Sequence, residues 1–134
     1  MAVSGDITEV TCNHPDLGSF VFSPKANESS KYDLGGLVSN DDENGVDGSG
    51  AMIDQMNNTR WSFEVPVSWD PNNRQELESV SALQSSPKPG DWTFTHINGT
   101  VYNGLGKPVG KHTADGNTGT FTLKVSGGGK LKQI

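Results

Sequence analysis

The chain has 134 residues, 31% of them apolar, with 17 glycines and a formal net charge of −6. That length suits one domain with a modest core and much backbone in turns. An acidic chain without a basic patch does not grip nucleic acid. The single cysteine, Cys12, excludes an intrachain disulfide.

The N-terminus lacks a basic stretch followed by an apolar run, and no apolar segment reaches membrane-spanning length. The expectation is a protein made and assembled in a cytoplasm. Ile7 to Thr11 reads as a short strand, His14-Pro15-Asp16-Leu17-Gly18 as a turn, and Ser19 to Ser23 as a second strand completing a hairpin. Residues 24–58 differ. They are rich in Gly, Ser, Asn and Asp, and a stretch so long without strong periodicity is usually functional or disordered. Tyr32, Leu34, Leu37 and Val38 precede the acidic run Asp41-Asp42-Glu43, and Met52, Ile53 and Met56 follow it. The arrangement predicts an extended loop with two apolar arms and a polar tip.

Trp61 to Trp69 alternates apolar and non-apolar residues without a slip, which specifies a strand with one buried face. Pro66 would cost a ladder bond in a central strand, so the strand is expected at an edge or bulged there. Asp70-Pro71 reads as a helix cap followed by proline at the first helical position. The only helix is predicted over 72–85, with Leu77, Val80 and Leu83 on its buried stripe. Trp92 and Phe94 alternate with Thr93 and Thr95, and Asn98-Gly99 reads as a type I′ hairpin turn. A short return strand, a kinked Gly-rich piece over 104–110 and a last strand over 118–126 follow. The whole is mainly β, about seven mostly antiparallel strands and one helix, and 1–134 is one domain.

Motifs for chemistry fail on spacing. Asn40, Asp42, Asn44 and Gly45 imitate the start of a calcium loop, but Ala51 stands where the bidentate Glu belongs. Cys12 and His14 have no further cysteine to build a metal site, and His96 and His112 lie far off in sequence. No Gly-Lys pair completes a phosphate loop, and no nucleophile elbow exists. Three Asn-x-Ser/Thr triplets, at Asn27, Asn57 and Asn98, read as coincidences of composition without a secretion signal. Trp61, Trp69 and Trp92 could stack on sugars in a monomeric β-sandwich carbohydrate-binding module, although the apolar phase of their strands favours the core. No enzyme, cofactor or metal is expected.

The segments Trp61–Val67, Leu77–Trp92 (ending Pro89-Gly90-Asp91-Trp92-Thr93-Phe94), Asn98–Gly110 and Thr118–Leu131 together resemble the tail tube proteins of contractile-tailed bacteriophages. The likeness covers roughly residues 60 to 131. It implies two packed antiparallel sheets, a β-sandwich or barrel with a flanking helix, and a long loop in the N-terminal half. Six copies would form a ring whose strands join in one continuous β-barrel, and rings would stack into a hollow tube that carries the genome into a host. The implied partners are further copies, the sheath, baseplate or tube-initiator and tail terminator proteins. The tape measure protein and DNA would pass through the lumen without specific binding. No membrane is involved, and the place of the chain would be the virion. Type VI secretion and tailocin-like tubes share the fold and stay open as alternatives.

On this resemblance the wet strand faces become lumen-facing candidates: Ser62, Glu64, Ser68, Thr93, Thr95, Thr120, Thr122 and Lys124. They offer neither a basic stripe nor an aromatic platform for bases. The inter-ring candidates are Tyr32, Leu34, Leu37, Val38, Asp41, Asp42, Glu43, Met52, Ile53 and Met56. Four strands from each of six subunits would close a barrel on the order of 40–50 Å across, wide enough for a duplex.

Overall fold

A computed structural model describes residues 3–39 and 45–134. The elements run β1 (Ile7–His14), β2 (Gly18–Phe22), β3 (Lys31–Asp33), β4 (Gly36–Ser39), β5 (Gly45–Val46), β6 (Met52–Ile53), β7 (Met56–Thr59), β8 (Trp61–Ser68), α1 (Glu76–Ser85), β9 (Gly90–His96), β10 (Val101–Pro108), β11 (Thr120–Gly127) and β12 (Lys132–Gln133). The protein is mainly β with one helix among the described residues. A large antiparallel sheet has the order β2-β1-β9-β10-β11-β8-β3, with β12 beside β10.

The period-2 pattern does what it specifies. Trp61, Phe63, Val65 and Val67 are buried, while Ser62, Glu64, Pro66 and Ser68 are half-buried on the other face. Phe121, Leu123 and Val125 of β11 and Trp92 and Phe94 of β9 join the same core. Phe63 stacks on Phe94 with ring centroids 4.0 Å apart. β8 and β9 are not sheet neighbours, so the sheet folds over and packs its inner face against itself.

The fold-over happens at β10. Its first six residues pair with β9, and its end, Lys107 and Pro108, pairs with β11. Both core tryptophans are tied to this corner: Trp61 Nε1 donates to Leu105 O at 3.2 Å, and Trp92 Nε1 to Gly106 O at 3.0 Å. A Cβ on Gly106 would lie 2.5 Å from Ser126 O and 2.7 Å from the Trp61 ring, and one on Gly127 would lie 2.0 Å from Leu105 O. The Gly-rich piece expected as a kinked connection is therefore one continuous strand whose missing side chains let the tryptophan in.

Other expectations need correction. β8 is neither an edge nor bulged at Pro66, since its register with β11 is unbroken from Trp61 to Ser68. Pro66 O accepts the Lys25 amide, so its missing N–H points away from β11. The chain after β2 meets β8 here through a bridge between Pro24 and Val67. Proline cannot return a bond to Lys25, and this contact stays a bridge rather than a ladder. The helix starts at Glu76, not at 72. The Asp70 carboxylate instead accepts the Asn72 and Asn73 amides in a turn, at 3.1 and 3.2 Å. Gln75 in the left-handed region (φ 52) separates that turn from the helix. Val80 and Leu83 are buried as expected, and so is Glu76. Its carboxylate accepts the Asp70 amide at 3.0 Å and faces Arg74 Nε at 3.2 Å, a pairing that a buried charge requires. The 97–99 turn has Gly99 at φ 90 but no positive φ at Asn98. With Gly99 N donating to His96 O, it is a type I turn closed by a left-handed glycine, not type I′.

Candidate functional site

Six of the eight lumen-facing candidates share one surface. In the β8–β11 ladder Ser68 sits opposite Thr120, Pro66 opposite Thr122, and Glu64 opposite Lys124. On the far side of β8, Lys31 lies opposite Glu64, giving a cross-strand row Lys31–Glu64–Lys124. Ser62 lies in the same face opposite Ser126, whose hydroxyl turns back to donate to Trp61 O at 2.8 Å. Thr93 and Thr95 are elsewhere. They occupy the outer face of β9, opposite Thr11 and Glu9 of β1 and Asn103 and Val101 of β10. Because the inner faces of β8 and β9 meet through Phe63 and Phe94, their outer faces look in opposite directions. One surface can hold Thr93 and Thr95 or the other six, not all eight.

The β9 face has members that the sequence reading passed over. Asn103 Nδ2 donates to Asp91 Oδ1 at 2.6 Å and to Trp92 O at 3.1 Å, and lies 3.3 Å from Thr93 Oγ1. Period 2 in Glu9-x-Thr11-x-Asn13 was the available signal. Asn103 carried none, because its strand was read as ending there.

The long loop is a β-ribbon. β4 pairs with β7, setting Leu37 opposite Asn58, Val38 opposite Asn57 and Ser39 opposite Met56. β5 pairs with β6, setting Val46 directly opposite Met52. Every residue from 46 to 60 is exposed. Leu37 (69%), Val46 (70%), Met52 (66%) and Ile53 (54%) are among the most exposed large apolar side chains, and Val38 and Met56 join them. Leu34 is exposed at the ribbon's root, where its carbonyl accepts the Leu131 amide. The ribbon's turn is built on Asp47. Its carboxylate accepts the Ser49 amide at 2.9 Å, the Ser49 hydroxyl at 2.6 Å and the Ala51 amide at 3.0 Å. The Ser49 hydroxyl first, then these amides, hold it below the usual carboxylate range. The Ser39 hydroxyl bonds to the Asp54 carboxylate across the ribbon.

Tyr32 is not part of this arm. Its ring packs on Phe63, Tyr102 and Phe94, with centroids 4.9, 5.1 and 6.4 Å away. Burial, then Tyr102, pushes its phenol up to about 12. It alternates with Lys31 and Asp33 in β3, and the strand turns that phase inward. Asp41, Asp42 and Glu43, with Asn40 and Asn44 of the calcium-like run, lie outside the described residues.

The cysteine is buried, and each histidine makes at least one structural hydrogen bond. Cys12 is buried, and burial, then Asp91, pushes its thiol up to about 12. His14 Nδ1 accepts the Asp16 and Leu17 amides at 3.0 and 3.1 Å, so its Nε2 carries the proton and donates to Lys88 O at 3.1 Å. His96 Nδ1 accepts the Asn98 amide, and His112 Nε2 accepts the Lys124 amide. Among the described residues no group of three His, Cys, Asp or Glu is placed to hold a metal ion, and no helix is long and apolar enough to cross a membrane. Trp61 and Trp92 are fully buried and Trp69 half-buried, so the first two present no face to a sugar. What the surface does offer is an apolar ribbon standing off the body and two quiet, hydroxyl-rich sheet faces. No family model and no curated protein matches the chain.

Proposed function

We propose that this chain is a structural subunit of a contractile-tail tube of the bacteriophage type. Hexameric rings close a continuous β-barrel, and rings stack into a conduit for genome delivery. The observation that carries the reading is the ribbon formed by the β4–β7 and β5–β6 pairs, which exposes Leu37, Val38, Val46, Met52, Ile53 and Met56. A two-stranded ribbon is at best marginally stable alone, and a contiguous exposed apolar surface marks an interaction site. Identical copies supply the cover: the ribbon acts as an inter-ring arm and orders fully when a second ring arrives.

The outer sheet faces support the same reading. A lumen must let nucleic acid slide, and short hydroxyl and amide side chains, with the two lysines of the Lys31–Glu64–Lys124 row separated by a carboxylate, give phosphate little grip. The Ser62–Glu64–Ser68–Thr120–Thr122–Lys124 face and the Thr93–Thr95 face are competing lumen surfaces under this proposal. The same architecture serves a secretion-type or tailocin-like tube.

Negative-stain microscopy and sedimentation over a concentration series test the reading. Rings with a central hole, and tubes at high concentration, are expected. A chain that remains a single particle at millimolar concentration overturns it. Deleting residues 39–50 is expected to leave the body folded and to weaken stacking. Normal tubes from that deletion would remove the arm from the proposal.

A further inference from the structure

Most of the protein's net charge lies in the arm. Residues 36–59 contain five acids, Asp41, Asp42, Glu43, Asp47 and Asp54, and no Lys or Arg. The rest of the chain holds the remaining eleven acids against all ten bases and is close to neutral. An arm of this kind is repelled by other arms and docks best where an apolar contact is ringed by uncompensated positive charge.

Four grooves on the described surface can be compared on that criterion. The groove between α1 and Lys111–His112 contains Glu78. The one between β2 and the start of α1 contains Glu76. The one around Asn27 contains Asp6 and Glu28. The fourth, about 250 Å³, lies at the root of the arm between Asn103–Leu105 and Gly128–Lys132; it contains Lys130 and Lys132 and no carboxylate. Among the described residues neither lysine is in an ion pair. Leu105 is 60% exposed beside them. The floor is backbone: Gly128 has no positive φ, and a Cβ there would meet nothing within 4 Å. A side chain placed at 128 would therefore stand in the open space of the groove without clashing with the fold.

We propose that the arm of one copy seats in this lysine-lined groove of a second copy. The arm's Val46, Met52 and Ile53 cover Leu105, and Asp47 and Asp54 face Lys130 and Lys132. The proposal rests on the arm-mediated stacking above and names its acceptor. The contact joins two different surfaces, so each copy both gives and receives an arm, and between stacked rings such contacts repeat from one ring to the next.

Two variants separate donor from acceptor. K130E/K132E spoils the groove and keeps the arm; M52D/I53D spoils the arm and keeps the groove. Each alone is expected to stop at its smallest particle. An equimolar mixture is expected to give particles of twice that mass and no filaments, since one intact contact remains. G128Y, with ordinary φ and open space around its new side chain, is expected to block stacking without lowering Tm, and it covers the case in which K130E/K132E disturbs the arm root. Wild-type assembly by G128Y or by folded K130E/K132E overturns the groove as acceptor, and so does a mixture that fails to pair. Failure of the wild-type chain itself to assemble overturns the tube reading instead.

Discussion

The body and the arm obey opposite rules. In the body every strand with a clean alternation buries its apolar phase, and the rings of Trp61, Phe63, Trp92 and Phe94 close on one another. In the arm, aliphatic residues such as Leu37, Val38 and Met52 stay in water on both faces of a two-stranded ribbon. The body has enough strands to fold back and cover itself; a ribbon of two strands has nothing to fold onto. The difference teaches that exposed apolar surface here goes with strand count: two strands cannot cover what a folded-over sheet can. Under the proposed function a second copy supplies what the arm lacks.

The comparison breaks most sharply through the core. Phe94→Ala is expected to cost about 3–5 kcal/mol and to drop or abolish the thermal transition, because the ring is fully buried between Phe63 and Trp92. Gly106→Ala follows at about 1–3 kcal/mol in chemical denaturation, since its Cβ must displace backbone at Ser126 and the Trp61 ring. By contrast, M52D/I53D is expected to leave unfolding within about 0.5 kcal/mol of wild type while eliminating stacking. A core-sized loss there would mean that the arm is part of the body after all. Cys12 offers a graded probe of the same boundary. With the thiol pushed up to about 12 and buried, it should resist a thiol reagent at pH 8 until the body unfolds, whether or not arms are engaged.

The smallest effect is a pH dependence. Burial, more than Lys124, holds His112 below its ordinary 6.5. The unfolded chain therefore takes up a proton first as pH falls. Stability is full above about 6.5 and declines through the window between that value and the lowered folded one. H112F should flatten this part of the Tm profile; an unchanged slope would assign it to another group.

Much of the body was legible in the sequence, because period-2 alternation over Trp61–Val67, Trp92–Phe94 and Phe121–Val125 directly encodes which side faces the core. The arm's ends were legible as well, from apolar residues flanking a polar tip. Its strands were not, since Gly, Asn and Asp carry weak β signals and only cross-ribbon pairing orders them. Tyr32 was placed on the arm by adjacency in sequence, yet three core rings hold it in the body. The helix start moved for a local reason: the Asp70 side chain capped a turn that Gln75 then broke.

The sequence by itself determined a β protein, its buried phase and its acidic, apolar-flanked arm. These depend on patterns within a few residues. Tertiary structure alone decided that β10 passes from one layer to the next, that Gly106 and Gly127 are voids for Trp61, and that the eight quiet surface positions split between two faces. Each of these depends on which distant strand lies alongside, and a strand's own pattern states that it has a buried side without stating what will bury it.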